Sequence, residues 1–314
     1  MNILILSCGT RNKLVRYFKE CKKFDKVIVT DCSEQAPAIY EADKFYIVPR
    51  MTEPGYIDCL REICTAEDIN VLLPLQEDEL LLIAQNQNCF RDMGIVPLVS
   101  DYDKVSLCKD KYMLNLQLRE QGINAVSTFL AEEYLDTAKN QMDVFVKPRF
   151  GAGSINTMRV RTKKMLEALI LESETELIVQ PRIQGKEYGV DVYVDTEAGE
   201  VVAYFCKEKL RMRAGETEKS ISVKNDKIKE LVIKAVSYLQ LRGPLDVDVM
   251  EQNGEFYVLE INPRFGGGYP HAYECGISFP NCIACNALKE RNLVCADEYP
   301  EEIIAMKFSD IIIR

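Results

Sequence analysis

The stretch "DVDVMEQNGEFYVLEINPRFGGG", residues 246–268, alternates apolar and polar residues on either side of an Asn-Gly pair and ends in Pro, Arg and three glycines. Two such runs around a short glycine-containing loop predict a β-hairpin. A three-residue loop, Gln252 to Gly254 with Gly254 left-handed, pairs Glu251 with Glu255 and sets Asp246 opposite Glu260. Because side chains alternate along a strand, Asp246, Asp248, Glu260 and Asn262 then share one face. Val247, Val249, Leu259 and Ile261 share the other. The apolar face makes a core, and the opposite face gathers three carboxylates and one amide. Left uncompensated, those charges would raise their own pKa values or destabilise the fold. A hard divalent cation, Mg²⁺ or Mn²⁺, completed by water and phosphate oxygens, is the natural remedy. The plainer alternative is a solvent-facing hairpin carrying ordinary acidic residues. A two-residue loop would turn Asp248 away from Glu260 and weaken the metal expectation.

A cation that needs phosphate partners directs attention to the lysines and glycines upstream. Lys147 closes the apolar run of "VFVKP", so its ammonium can be held at a strand end facing a cleft. Gly151, Gly153 and Ser154 of "GAGS" follow at once, where small residues let backbone N–H groups approach phosphate oxygens. By itself the tetrapeptide is only a turn. In "IVQPRIQGKEYGVDV" the linking segment can offer Gln180 to an adenine and Glu187 to ribose hydroxyls. The stretch "KEKLRMRAGETEKS", residues 207–220, is expected to be a mobile loop that delivers Arg211 or Arg213 to phosphates, or else a solvated connection.

Outward from this region, strand-like and helical runs alternate over roughly the first hundred residues: "NILIL", "KVIVT" ending on Asp31, "VLLPL" and "IVPLV", with amphipathic stretches between them. That order predicts a parallel sheet in an α/β unit. Ligands commonly sit at the carboxyl ends of such strands, where Asp31 and the "QEDE" of residues 76–79 fall; a turn carboxylate is the ordinary alternative for Asp31. The single glycine of "SCGTRN" does not make a dinucleotide fingerprint. From Ser106 a helix runs to Gly122, a glycine suited to a C-cap. The expected units are 1–103, 104–183 and 184–314.

The 314 residues carry a net charge of -10, which argues against a nucleic-acid surface. No apolar run approaches the length of a membrane span and no cleavable leader is evident, so the expected protein is soluble and cytoplasmic. Its twelve cysteines are scattered. They are expected to be reduced thiols. Cys282 and Cys285 form a CxxC with Cys275 upstream, but one histidine in the whole chain leaves no second ligand pair for zinc.

Taken in order, "DKYMLNLQLREQG", "VFVKP", "QGKEYGVDV" and above all "VLEINPRFGGG" following "DVDVM" resemble the ATP-grasp superfamily, in particular the units of the large subunit of carbamoyl-phosphate synthase. The resemblance extends over essentially the whole chain. It implies an α/β and α+β protein, with an N-terminal Rossmann-like pre-ATP-grasp domain followed by a two-subdomain ATP-grasp fold. By the same resemblance Lys111 and Lys147 hold phosphates, Gln180 touches the adenine amino group, Ile183 lies along the hinge and Glu187 holds the ribose. Asp248, Glu260 and Asn262 look like the magnesium ligands, Asp246 stands behind them, and Arg264 steadies the transferred phosphoryl group.

The activity so implied is ATP-dependent ligation of a small-molecule carboxylate to an amine or thiol through an acyl phosphate. No protein nucleophile is required, because cationic groups and a metal stabilise charge on the moving phosphoryl group. The alternatives are a carboxylate or carbamate kinase serving a partner protein, and a non-catalytic ATP-binding regulator. One grasp unit is present where the synthase has two. His271 is expected to line the acceptor pocket or to pack. No nucleic acid or membrane partner is expected, and a homodimer is the default for a soluble enzyme.

Overall fold

A computed structural model of the chain describes every residue except Ala152, Ser154, Asp297 and Arg314, and the side chains of Cys295 and Ala296. Strands β1 (Asn2–Leu6), β2 (Lys26–Asp31), β3 (Lys44–Ile47), β4 (Ile69–Pro74) and β5 (Val96–Pro97) form a parallel sheet in the order β3-β2-β1-β4-β5. Helices α1 (Asn12–Glu20), α2 (Tyr56–Ala66), α3 (Glu77–Gln85) and α4 (Gln87–Arg91) connect and cover it. The chain leaves β1 towards one edge and returns on the other side at β4, so the loops after β1 and β4 diverge around a crevice. Ser7 to Arg11 and Leu75 to Glu77 occupy those loops.

The expected single helix from Ser106 is two, α5 (Tyr102–Lys109) and α6 (Lys111–Glu120). Asp110 breaks them by leaving helical geometry and capping α6, its Oδ1 accepting from the backbone N–H of Tyr112 and Met113 at 3.2 and 3.1 Å. Helical periodicity continues across the break because a capping residue costs only one position. Lys111 becomes the first residue of α6.

A second sheet, antiparallel, has the order β6-β9-β7-β8, from β6 (Phe129–Leu130), β7 (Gln141–Pro148), β8 (Met158–Thr162) and β9 (Leu177–Pro181). Helices α7 (Ala131–Thr137) and α8 (Lys163–Glu172) pack on it. Val144, Val146, Val160, Leu166 and Val179 make its core. Alternation along β7 then leaves Phe145 and Lys147 on the other face.

The largest sheet runs β14-β13-β10-β11-β12-β16, with β15 (Cys295–Ala296) on β11. Its strands are β10 (Glu187–Val194), β11 (Val201–Arg213), β12 (Glu216–Ser222), β13 (Gly243–Gln252), β14 (Glu255–Asn262) and β16 (Ile304–Met306). Helix α9 (Asp226–Leu239) precedes β13, α10 (Tyr269–Glu274) and α11 (Phe279–Ala287) follow β14, and Val190, Val192, Val232, Val247 and Ile261 share a core. Residues 207–220 are a β-hairpin rather than the expected loop: β11 and β12 pair around Ala214 and Gly215, both left-handed at φ 49° and 76°. Charged side chains alternating on a sheet face satisfy a strand as well as a loop, and composition did not separate the two. No helix among the described residues is long and apolar enough to cross a membrane.

The hairpin of residues 246–262 departs from the expected register in a way that matters. Its loop has two residues, Asn253 and Gly254, at φ 55° and 80°, with Gln252 opposite Glu255. Two left-handed residues in sequence are the geometry that Asn-Gly favours. That register alone would turn Asp248 and Glu260 to opposite faces. A bulge opposite Val249 adds one residue to β14 and reverses the parity, so Asp248 pairs with Glu260 and Asp246 with Asn262. The bulge is anchored from outside the hairpin: the Leu259 carbonyl accepts from Asn115 Nδ2 at 3.2 Å, and Val258 exchanges backbone hydrogen bonds with Asn124 and Val126. Val258 takes the core position expected for Leu259, which lines the cleft instead.

Candidate active site

A cleft of about 930 Å³ lies where the three sheets meet. One wall is the second sheet. Phe145, Lys147 and Gln180 reach the cleft from β7 and β9, with Phe145 opposite Gln180 in register. Gln180 Nε2 donates to Thr128 Oγ1 at 2.8 Å. Lys111 Nζ donates to the Gly151 carbonyl, and Arg149 ties this corner together by reaching Asp110 at 2.8 and 2.5 Å. Gly151 and Gly153 line the same wall; Ser154 lies outside the described residues.

The floor is the polar face of the large sheet. Register aligns Lys207, Gly189, Asp248 and Glu260 in one row across β11, β10, β13 and β14, and Phe205, Asp191, Asp246 and Asn262 in the next. Gly189 is the reason the row works. A Cβ there would stand 3.1 Å from Lys209 Cε and 3.3 Å from Lys207 Cε, so the two lysine stems cross β10 over its missing side chain. Lys209 Nζ thereby reaches both Asp248 at 2.5 Å and Glu187 at 2.8 Å. Lys207 pairs with Asp191, both side chains being 1% exposed. Lys147 Nζ is 4.0 Å from Glu260.

Electrostatics follow from this crowding. Burial pushes the Asp248 carboxyl up to about 7; Lys209 pulls the other way, while Asp246 and Glu260 add to the rise. Burial acts to lower the Lys209 ammonium, but Asp248 and Glu187 outweigh it and hold it above the usual lysine range. Lys147 is pulled below that range by burial, with Glu260 opposing and Lys111 assisting. The floor is a stack of acids short of positive charge and the wall a lysine short of negative charge. A hard cation with phosphate oxygens would relieve both.

Asp248, Glu260 and Asn262 fit such a cation by donor chemistry, being two carboxylates and an amide on adjacent strands of one face. Among the described residues no three Asp, Glu, His or Cys side chains gather tightly enough to hold a metal by themselves. The donor set therefore depends on the Asn262 amide and on oxygens supplied with the cation.

Past Asn262 the cleft ends in Arg264, whose Nη2 is 2.8 Å from Glu77 and Nη1 3.7 Å from Asp246. Arg11, Glu216 and Gly267 border the same end. The triplet Gly266–Gly268 is explained here by space, since none of the three has a positive φ. A Cβ on Gly266 would fall 2.5 Å from the Asp246 carboxylate, one on Gly267 2.9 Å from Arg11 Nη1, and one on Gly268 2.7 Å from Lys207 Cε. Each glycine makes room for a different charged side chain.

Of the anticipated residues, Lys111, Lys147, Gly151, Gly153, Gln180, Ile183, Glu187, Arg213, Asp248, Glu260, Asn262 and Arg264 line this one cavity. Arg211 does not. Pairing in β11 shifts on both sides of it, so that Met212 faces the cleft while Arg211 points outward, 63% exposed and 2.8 Å from Glu218. Asp31 folds back onto its own loop, accepting from the N–H of Gly9 and Ser33 at 2.9 and 3.1 Å. His271 is 5% exposed, 2.8 Å from Ser220, and does not line the cavity. Cys275, Cys282 and Cys285 sit at the end of α10 and on α11, away from the cleft lining. Sequence reasoning did not single out Lys207, Lys209, Arg11 or Glu216. The signal for the lysines was Gly189 inside "QGKEYGVDV", an interior strand glycine that marks close approach.

Fold and cleft define a class: a parallel α/β unit set against two antiparallel sheets that clasp a charged cavity. A model of the PylC-like N-terminal domain matches residues 3–99, and a model of the ATP-grasp domain matches residues 108–268, just over half of the chain. The chain belongs to the ATP-grasp family.

It is similar to the carbamoyl phosphate synthase large chain of Clostridium beijerinckii, at 24% identity over 276 residues, 82% of this chain and 25% of that protein. It is also similar to D-alanine–D-alanine ligase B of Clostridium perfringens, at 26% identity over 203 residues, 57% of this chain and 66% of that one. The chain thus spans about a quarter of the synthase large chain. Among solved structures, the biotin carboxylase domain of Hydrogenobacter thermophilus 2-oxoglutarate carboxylase, in complex with MgADP, ADP and bicarbonate, superposes with a TM-score of 0.74 at 16% identity, covering 96% of this chain and 73% of that one. N5-carboxyaminoimidazole synthetase of Staphylococcus aureus with ADP gives 0.74 at 19% identity, covering 97% and 79%.

Proposed function

We propose that this chain is an ATP-dependent carboxylate–amine (or thiol) ligase that forms ADP and phosphate through an acyl phosphate. The observation that supports it most is the convergence of Lys111, Lys147, Lys209, Glu187, Asp248, Glu260 and Arg264 on one cleft. In this proposal Lys111, Lys147 and the backbone of Gly151 and Gly153 hold the triphosphate, and Gln180, Ile183 and Glu187 hold the nucleoside. Asp248, Glu260 and Asn262 bind Mg²⁺ or Mn²⁺, which when bound neutralises phosphate charge. A substrate carboxylate oxygen, steadied by Arg264 and reached by Arg213, attacks the γ-phosphorus as the bond to ADP breaks. The amine nitrogen then attacks the acyl carbon; phosphate leaves with the electron pair of the C–O bond and the nitrogen loses a proton to solvent. Residues 1–103, 104–183 and 184–314 are proposed as its three units. A cytoplasmic setting is part of the proposal, in keeping with the reduced cysteines expected of the sequence.

The test is ADP and phosphate release from purified protein with ATP, Mg²⁺ and panels of carboxylates and amines. Equal release of both with at least one pair is expected, falling at least tenfold in Glu260→Gln, about 1.4 kcal/mol of barrier. Failure of every pair, beside a ligase that succeeds under the same conditions, would remove the proposal. ADP release without condensation, trapped by hydroxylamine, would favour the kinase alternative.

A further inference from the structure

Arg11 is a basic group at the cleft to which the proposed chemistry gives no task and, unlike Lys109, Lys207 and Lys209, it makes no close ion pair among the described residues; it is also placed at a local cost. It occupies the N-cap of α1, at φ -83° and ψ 39°, and its side chain makes no capping hydrogen bond. Ser, Thr, Asp and Asn stabilise that position by about 0.5–2 kcal/mol relative to a non-capping residue. A cation there also opposes the positive end of the helix dipole.

Among the described residues the nearest acid is Glu216, whose Oε1 is 3.7 Å from Arg11 Nη1, beyond hydrogen-bond reach. The guanidinium donates no hydrogen bond to a described residue, whereas the neighbouring Arg264 is bonded to Glu77 at 2.8 Å. Burial holds Arg11 below the usual arginine range, with Arg264 assisting and Glu216 and Asp246 opposing. Its Nη1 lies against Gly267, where any side chain would displace it. A residue that leaves its helix uncapped and keeps its guanidinium donors free of described partners while facing a cavity, its side chain 27% exposed, is arranged for a ligand.

The ligand must also suit the acids beside it. Glu216, which also accepts from Lys307 Nζ at 2.7 Å, and Asp246 stand within the field of Arg11, so a molecule of balanced charge suits this end better than a phosphate dianion. Arg264, next to the metal face, is the nearer partner for the carboxylate that reacts. The group that Arg11 takes is therefore a different one.

Resting on the ligase proposal, we infer that Arg11 determines specificity for the amine substrate: its fork binds a carboxylate that does not react, Glu216 lies near the same molecule's ammonium, and the substrate is a small zwitterion of amino-acid type.

Arg11→Ser separates a binding role from a structural one, because serine is the better cap. ADP release is measured with each standard L-amino acid, and with its carboxamide, against a mixture of short mono- and dicarboxylates. The wild type is expected to prefer at least one amino acid over its carboxamide by roughly tenfold or more, the worth of a charge-assisted contact. Arg11→Ser should erase that preference by raising KM for the amino acid, with KM for ATP within about twofold and no fall in Tm. Arg11→Lys should keep the charge and lose part of the preference. Retention of the preference in Arg11→Ser overturns the inference, as does a joint fall in Tm and nucleotide affinity. Release with simple amines but no amino acid overturns it while leaving the ligase proposal standing. If the wild type also fails to bind an imido analogue of ATP by calorimetry, both fall.

Discussion

At the end of the cleft assigned to the nucleotide, Lys147, Gln180 and Glu187 each sit in or beside a strand whose own sequence turns them inward; Gln180 and Glu187 meet partners on or beside the neighbouring strand, and Lys147 faces Glu260 across the cleft. At the end proposed for the acceptor, Arg11, Glu77 and Arg264 come from three segments separated by up to 253 positions and meet only because the parallel unit docks its crevice onto the large sheet. The first kind of site is written in alternation and spacing, which are local. The second depends on how units dock, which no window of sequence contains. The three glycines after Arg264 join the two ends, since one makes room for Asp246 of the acidic face, the next for Arg11 and the third for Lys207.

The contrast can be broken most forcefully beneath the point where the ends meet. Lys207 and Asp191 are buried as a pair, and one Asp191 oxygen has no hydrogen-bond partner among the described residues. Removing one member of such a pair strands the other charge, at a cost of about 3–5 kcal/mol. Asp191→Ala should lose that much in urea unfolding, and Asp191→Leu combined with Lys207→Met should recover most of it. A single variant as stable as wild type would mean that the floor is hydrated and that the two ends do not share a rigid base.

A smaller effect tests how α10 packs behind the cleft, where His271 lies against Ser220 and Phe205. Burial, helped by Lys207, lowers the His271 imidazole to about 4. Between pH 4 and 6.5 the unfolded chain therefore binds a proton at this residue that the native protein does not. This contribution to stability is full above pH 6.5 and is lost as the pH falls towards 4. Moving from pH 7 to 5 should cost wild type about 2 kcal/mol more than it costs His271→Gln, measured by denaturant unfolding at each pH. Equal losses would place the imidazole in contact with water and return it to the acceptor pocket.

That pocket role was one of the two expectations for His271, and the residues on which sequence and structure part share a cause. The parallel unit, the hairpin and the common face of Asp248, Glu260 and Asn262 follow from period-two and helical patterning. The hairpin face was reached through a wrong loop length: the Asn-Gly turn has two residues, and the bulge that restores parity is held by Asn115 and Asn124, more than 130 positions upstream. Lys209 is similar, for its stretch looks like a charged loop until Gly189 is seen to open a path across β10. Where partners are distant, composition is silent, and a cap-breaking arginine such as Arg11 is the only local trace.

Arg211 marks the lower limit of these effects. Strict alternation from Lys207 and Lys209 would bring Arg211 to the cleft, and the irregular pairing on both sides of it prevents this. Its ion pair with Glu218, which Arg213 also approaches at 3.4 Å, leaves the Arg211 guanidinium largely in solvent, where such pairs contribute under about 1 kcal/mol. Arg211→Ala should shift stability by less than about 0.5 kcal/mol and leave turnover and KM for ATP within roughly twofold. A tenfold loss of turnover would show that β11 repairs when substrates bind, regaining regular alternation and bringing Arg211 round to the phosphates; the acceptor end would then be remodelled by its ligands while the nucleotide end is built in advance.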